Sequence, residues 1–176
     1  MTIKTVASYW CMFICVLIII VSLATNYWHE FKLADPNVKD VVSHFNVGLW
    51  EKCEEVEYKK ENRTEDKGCS DYEPPDYVDD WGSKRNTVVV MYVFALLATL
   101  VAFIFITTYC ATGKYYFPVK RSAAMFFIAA LVMCIGLIVY TATFANSVVS
   151  FSWSYGAGWS AVAMYIITIV LLFADK

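Results

Sequence analysis

Three stretches of this chain carry no charged side chain, and their lengths constrain everything else. They are Val6–Thr25 with 20 residues, Thr87–Gly113 with 27 and Ser122–Ala174 with 53. A helix that crosses about 30 Å of hydrocarbon needs roughly 20 mostly apolar residues. The first two runs therefore supply one span each. The third is too long for one and suits two, broken where it turns polar and aromatic, from Asn146-Ser147 to Ser152-Trp153-Ser154. The expected helices lie near 6–25, 87–110, 122–145 and 155–174. A membrane barrel calls for alternating strands of about ten residues, and none of these runs alternates. Inside lipid each backbone amide must find its partner within the chain. The expected fold is thus an all-α membrane protein with four transmembrane helices.

Charge segregation supports the same division. Of 30 charged side chains, 24 fall between Glu30 and Arg85. The linker 111–121 carries Lys114, Lys120 and Arg121 without an acid, and Lys4 precedes the first span. Basic residues in short connections mark the cytosolic side. Both termini and this linker are therefore expected in the cytosol, with segment 26–86 and the turn 146–154 outside a plasma-membrane protein. A competing possibility is that Ser22-Leu23-Ala24, a small-x-small triplet, is cut by a signal peptidase. Against it, 20 apolar residues exceed the usual signal core of about 7–15.

The absences are equally informative. A hydrophobic share of 59% stands above the roughly 45–50% of soluble domains, and a net charge of −2 does not suit a nucleic-acid partner. No Gly-rich phosphate loop, nucleophile triad or paired Cys-x-x-Cys is present, and the two histidines, His29 and His44, lack a placed third ligand. The spans hold no Asp, Glu, Lys, Arg or His, the groups on which proton relays and charged-substrate paths depend. No enzyme, metal or cofactor is expected, and the lipid bilayer is the first partner.

The outer segment holds 15 acids against 9 bases, a net of −6. Partial alternation at 27–33, 41–47 and 55–58 predicts strands of a small antiparallel sheet, with Asp35-Pro36-Asn37 turning between the first two. The stretch from Asp71 to Trp81, with Pro74-Pro75, is expected to return irregularly to the membrane. Cys53 and Cys69 are the only cysteines in this segment, and an oxidising compartment favours a bridge between them. Asn62-Arg63-Thr64 is the sole N-x-S/T sequon, set among charged neighbours, and Asn62 is a candidate glycosylation site. Cys11, Cys15 and Cys134 are expected to pack as small apolar groups, while Cys110, at the cytosolic end of the second span, is a candidate for S-acylation.

Gly48-Leu49-Trp50 followed by Cys53 resembles the G-L-W-x-x-C signature of the claudin superfamily, with Cys69 in the place of its second cysteine. Trp28 resembles the tryptophan at the start of that family's first outer loop, and Trp81 with Arg85 resembles the loop's end. Ser152-Trp153-Ser154-Tyr155 with Gly158-Trp159 is similar to the start of its fourth helix, most like the lens fibre and myelin-type members. The resemblance implies a left-handed four-helix bundle beneath a disulfide-stapled sheet, assembling side by side or face to face at cell contacts. The 15 residues between Cys53 and Cys69, sequon included, exceed the spacing in many claudins.

On these grounds the expected role is a claudin-like junction or adhesion protein. It would act as a homo-oligomer or with a tetraspan of the neighbouring cell. The alternatives are an auxiliary, gamma-type subunit of a channel or receptor, and a myelin-type membrane organiser. Trp28, Leu49 and Trp50 are expected at headgroup level, seating the sheet. Arg85 would cap the second helix or meet a carboxylate. The small residues of the fourth helix, from Gly156 to Ala163, are expected to pack inside the bundle. Glu51, Glu54, Glu55 and Glu57 are candidates for a cation-favouring lining. Val149 and Phe151 are candidates for an apolar contact with an opposing protein.

Overall fold

The computed structural model describes residues 3–34, 40–71, 81–112, 116–145 and 149–174. Four helices dominate: α1 (Ile3–Ala24), α2 (Trp81–Thr112), α3 (Tyr116–Phe144) and α4 (Trp153–Ala174). Each contains a stretch long and apolar enough to cross a membrane. They close a ring in which α1 packs on α2 and α4, and α3 packs on the same two. The core between them is built from small and aromatic residues. Ala95, Ala98, Ala102, Ala129, Ala130 and Ala161 let the backbones approach, and Tyr92, Phe126, Tyr140 and Tyr165 fill the spaces. The large apolar side chains Leu17, Phe94, Ile104, Phe127 and Val170 point outward, as a protein solvated by lipid requires.

Three helices outrun their uncharged stretches, α1 by starting at Ile3 and taking in Lys4. α2 begins at Trp81, not 87, and takes in Lys84 and Arg85; α3 begins at Tyr116, not 122. Charge marks where the hydrocarbon stops, whereas a helix continues as long as its backbone bonds close. Pro118 does not prevent this, because the amides of a first turn have no intrahelical acceptor. The small residues of α4 also divide differently from expectation. Gly158 and Ala161 are buried against the bundle, while Gly156, Ser160 and Ala163 are exposed.

At one end of the bundle sits a five-stranded antiparallel sheet in the order β4-β3-β2-β1-β5. Its strands are β1 (His29–Ala34), β2 (Val41–Val47), β3 (Glu51–Tyr58), β4 (Arg63–Asp71) and β5 (Ser150–Phe151). The first three lie close to the alternating segments, although β3 starts four residues before the expected 55. β4 has no alternation to betray it. Its register with β3 runs from Glu51↔Asp71 to Tyr58↔Arg63, with an irregularity after Glu54 that leaves Lys67 as the extra residue. Gly68, at φ 87°, supplies the left-handed backbone beside that bulge. β5 is the second surprise: the expected free turn pairs with β1 through His29↔Phe151 and Glu30↔Ser150. The Asp35-Pro36-Asn37 turn, most of the proline-containing return and Asn146–Val148 lie outside the described residues.

Candidate functional site

The sheet is fastened to the helices through Trp28. This side chain was expected at headgroup level, but it is 0% exposed. Its indole N–H donates to the Ser22 carbonyl at 2.7 Å, and its ring lies 5.2 Å from Tyr92 and 4.7 Å from Tyr140. The reason is chain geometry. α1 ends at Ala24, and residue 28 falls where Ser22 of α1, Tyr92 of α2, Tyr140 of α3 and Tyr155 of α4 come together. Backbone bonds then fix it from both sides: Trp28 N–H to Val47 O at 2.8 Å and Ser152 N–H to Trp28 O at 3.0 Å. A tryptophan buries roughly 150–250 Å², worth about 4–6 kcal/mol before entropy is counted.

The Gly48-Leu49-Trp50 turn lies against this plug. A Cβ on Gly48 would stand 2.7 Å from Asn26 Cα and 2.9 Å from the Thr25 carbonyl, so only glycine fits there. Leu49 is fully buried with Trp28 and Val47. Trp50, in contrast, is 48% exposed, with its indole N–H held by the Leu23 carbonyl at 2.7 Å. Of the three residues expected at the membrane boundary, Trp50 alone combines an exposed ring with a tethered N–H. On α4, Gly158 leaves the space that the Tyr92 hydroxyl fills, while Tyr155 and Trp159 flank it on the outer turn.

His29, which in the sequence stands only as one of two histidines without a third ligand, lies buried at the same junction. Its Nδ1 stands 2.6 Å from the Tyr140 hydroxyl, and its ring packs 4.3 Å from Phe144. Burial pushes its pKa down to about 4, because a charged imidazolium would lose its hydration there. No periodicity marks such a residue. The available signal was its position, immediately after the tryptophan that enters the core.

Further out, Cys53 and Cys69 face each other in register and form a disulfide. Asn26 Nδ2 donates to Cys53 Sγ at 3.4 Å, which links the staple to the end of α1. Beyond it the β3–β4 hairpin carries Asn62 at φ 48°, and residues 59–64 are exposed. Neighbouring Lys67 bonds Glu65 at 2.8 Å and holds its carboxyl below the usual carboxylate range.

Alternation along β3 separates the four glutamates. Glu51, Glu55 and Glu57 share one face with Cys53, and Glu54 lies on the other, opposite Phe45. The register adds Glu30, Asp66 and Asp71 to the three-glutamate face, with Lys32 and His44 as its basic residues. His44 Nε2 meets Glu57 Oε2 at 2.9 Å. The opposite face carries Phe31 and Phe45, stacked at 4.8 Å.

Tested against protein families, the sequence matches the model of the PMP-22/EMP/MP20/Claudin family over residues 1–172. The chain belongs to that family. Among curated proteins, none matches it. Membership agrees with the four spans, the sheet and the disulfide, and it makes this a claudin-like, multi-pass membrane protein. Arg85 is half-buried in the second turn of α2 and makes no ion pair among the described residues. Phe151 is 39% exposed and stacks on Tyr155 at 4.4 Å, whereas Val149 packs inward against the core. The side chains of Trp81 and Cys110 lie outside what is described. Among the described residues no cluster of His, Cys, Asp or Glu could hold a metal ion.

Proposed function

We propose that this claudin-like protein joins or seals neighbouring membranes, with its sheet outside the cell as the contact element and its acidic face favouring cations along the path between them. The observation that carries the reading is the registered face of Glu30, Glu51, Glu55, Glu57, Asp66 and Asp71. It is mounted on a base that the helices hold rigidly through Trp28. Carboxylates gathered on one side of a narrow passage raise the local cation concentration and repel anions. A flexible loop with the same charges would average them over all directions.

The faces provide an internal control. In epithelial monolayers expressing the protein, the triple change Glu51→Gln, Glu55→Gln, Glu57→Gln should lower the sodium-to-chloride permeability ratio. Glu54→Gln, on the other face, should leave it near the parent value. Equal effects from both would sink the lining, and co-purification with a pore-forming subunit without enrichment at cell contacts would replace this reading by the auxiliary-subunit one.

A further inference from the structure

The far end of the sheet offers a mount for something other than protein. β3 runs eight residues from Glu51 to Tyr58, which carries the hairpin tip about 25 Å of strand away from Trp50. The tip is firm. Lys59 N–H bonds the Asp40 carbonyl at 2.9 Å, Glu61 N–H bonds the Tyr58 carbonyl at 3.2 Å, and Lys60 pairs with Asp40 at 3.2 Å. The start of β2 and the β3–β4 turn are therefore tied together into one blunt end. Asn62 stands on it, fully in the open, in the left-handed conformation that asparagine tolerates. Arg63 and Thr64 complete the sequon and open β4.

We propose that Asn62 carries an N-linked oligosaccharide, and that this glycan is a spacer holding the blunt end of the sheet away from an opposing membrane. The proposal rests on the outward orientation and contact role set out above. In the modification, Asn62 Nδ2 forms a bond to C1 of an oligosaccharide supplied as a lipid-linked pyrophosphate. The C1–oxygen bond to the pyrophosphate breaks, the lipid pyrophosphate leaves, and the amide loses one proton to a base of the transferase. The product is bulky, hydrated and conformationally mobile. Bringing two such tips together confines both glycans, and each confined bond costs entropy. Contact through the blunt end is then opposed, while Glu30, Glu51 and Asp71 of the acidic face and the β5 edge, at the bundle end of the sheet, stay accessible. The glycan would thus set the width of the gap across which the protein acts.

The test uses the full chain produced in a eukaryotic secretory pathway. Wild type and Thr64→Ser keep the sequon; Asn62→Gln and Thr64→Ala remove it. Wild-type protein treated after folding with a peptide N-glycosidase provides a deglycosylated form that needs no substitution. Each is placed at equal density in phosphatidylcholine vesicles, and the clustering rate and the gap between apposed bilayers are measured. Mass spectrometry should find the oligosaccharide on wild type and Thr64→Ser. The three glycan-free forms should cluster several-fold faster and with a narrower gap. An unmodified Asn62 overturns the proposal, and so do equal rates and gaps with and without the glycan. If no form clusters, the contact reading falls and takes the spacer with it. Clustering that ignores the glycan removes the spacer alone.

Discussion

The two ends of the sheet are held by different physics. At the base, Trp28, His29, Val47 and Leu49 are buried among aromatic side chains of α2 and α3, and hydrogen bonds run from three separate segments. At the far edge, nearly every residue of β4 is exposed, and the strand that leads to the tip depends on one ladder and on a disulfide near its bundle end. The base is secured by removing surface from solvent; the hairpin that carries the tip is secured by a covalent closure that limits the unfolded chain. The tip can therefore carry almost any polar sequence, whereas the base tolerates little change.

Substitutions at the base should have the largest effects. Trp28→Ala should cost about 3–5 kcal/mol, and Trp28→Phe less, since it keeps a ring while losing the bond to Ser22 and part of the buried volume. Thermal midpoints in detergent, followed by near-ultraviolet circular dichroism, would show this; a Trp28→Ala midpoint near the parent value would break the contrast. Replacing both Cys53 and Cys69 by Ser should cost about 3 kcal/mol through the freed loop. That loss should be local, so hydrogen exchange should accelerate in β4 while β1 and β2 keep their protection. Uniform acceleration would show that the tip and base unfold as one.

His29 sharpens the comparison through pH. Its pKa is lowered from 6.5 to about 4 in the folded protein, so between those values the unfolded chain binds the proton more readily. Stability is full above pH 6.5 and declines as pH falls towards 4, by up to about 3 kcal/mol. Comparing midpoints of the parent and His29→Gln across this window separates its share from that of the carboxylates. Equal slopes would remove His29 as the cause. Smallest of all, Lys67→Ala at the tip should leave the midpoint unchanged, because its ion pair with Glu65 is open to solvent.

The same contrast explains how much could be read from the sequence. The spans were legible because burial in lipid demands long uncharged runs, and the charge border located them. Their ends were not, since Trp81–Asn86 and Tyr116–Arg121 are helical although they carry Lys84, Arg85, Lys120 and Arg121. β2 alternates and was found; β4 is exposed on both faces, so no pattern survives in Arg63–Asp71. The cysteines and the Gly48-Leu49-Trp50 turn stood out by residue type. That Trp28 points into the core while Trp50 faces outward depends on where α1 stops, and composition does not encode it.

β5 comes from the segment between α3 and α4, yet it completes the sheet beside β1, more than a hundred residues earlier in the chain. Ser152 and Ser154 reach back to Trp28 and Tyr27, and Ser22 bonds the Ser154 carbonyl. During synthesis, the edge of β1 stays unpaired until the third span is in the bilayer and the chain has turned back. Assembly of the sheet is therefore a report on membrane insertion. A chain halted or misthreaded before residue 149 leaves His29 and Glu30 of β1 without their β5 partners, an unpaired strand edge of the kind that invites pairing with another chain.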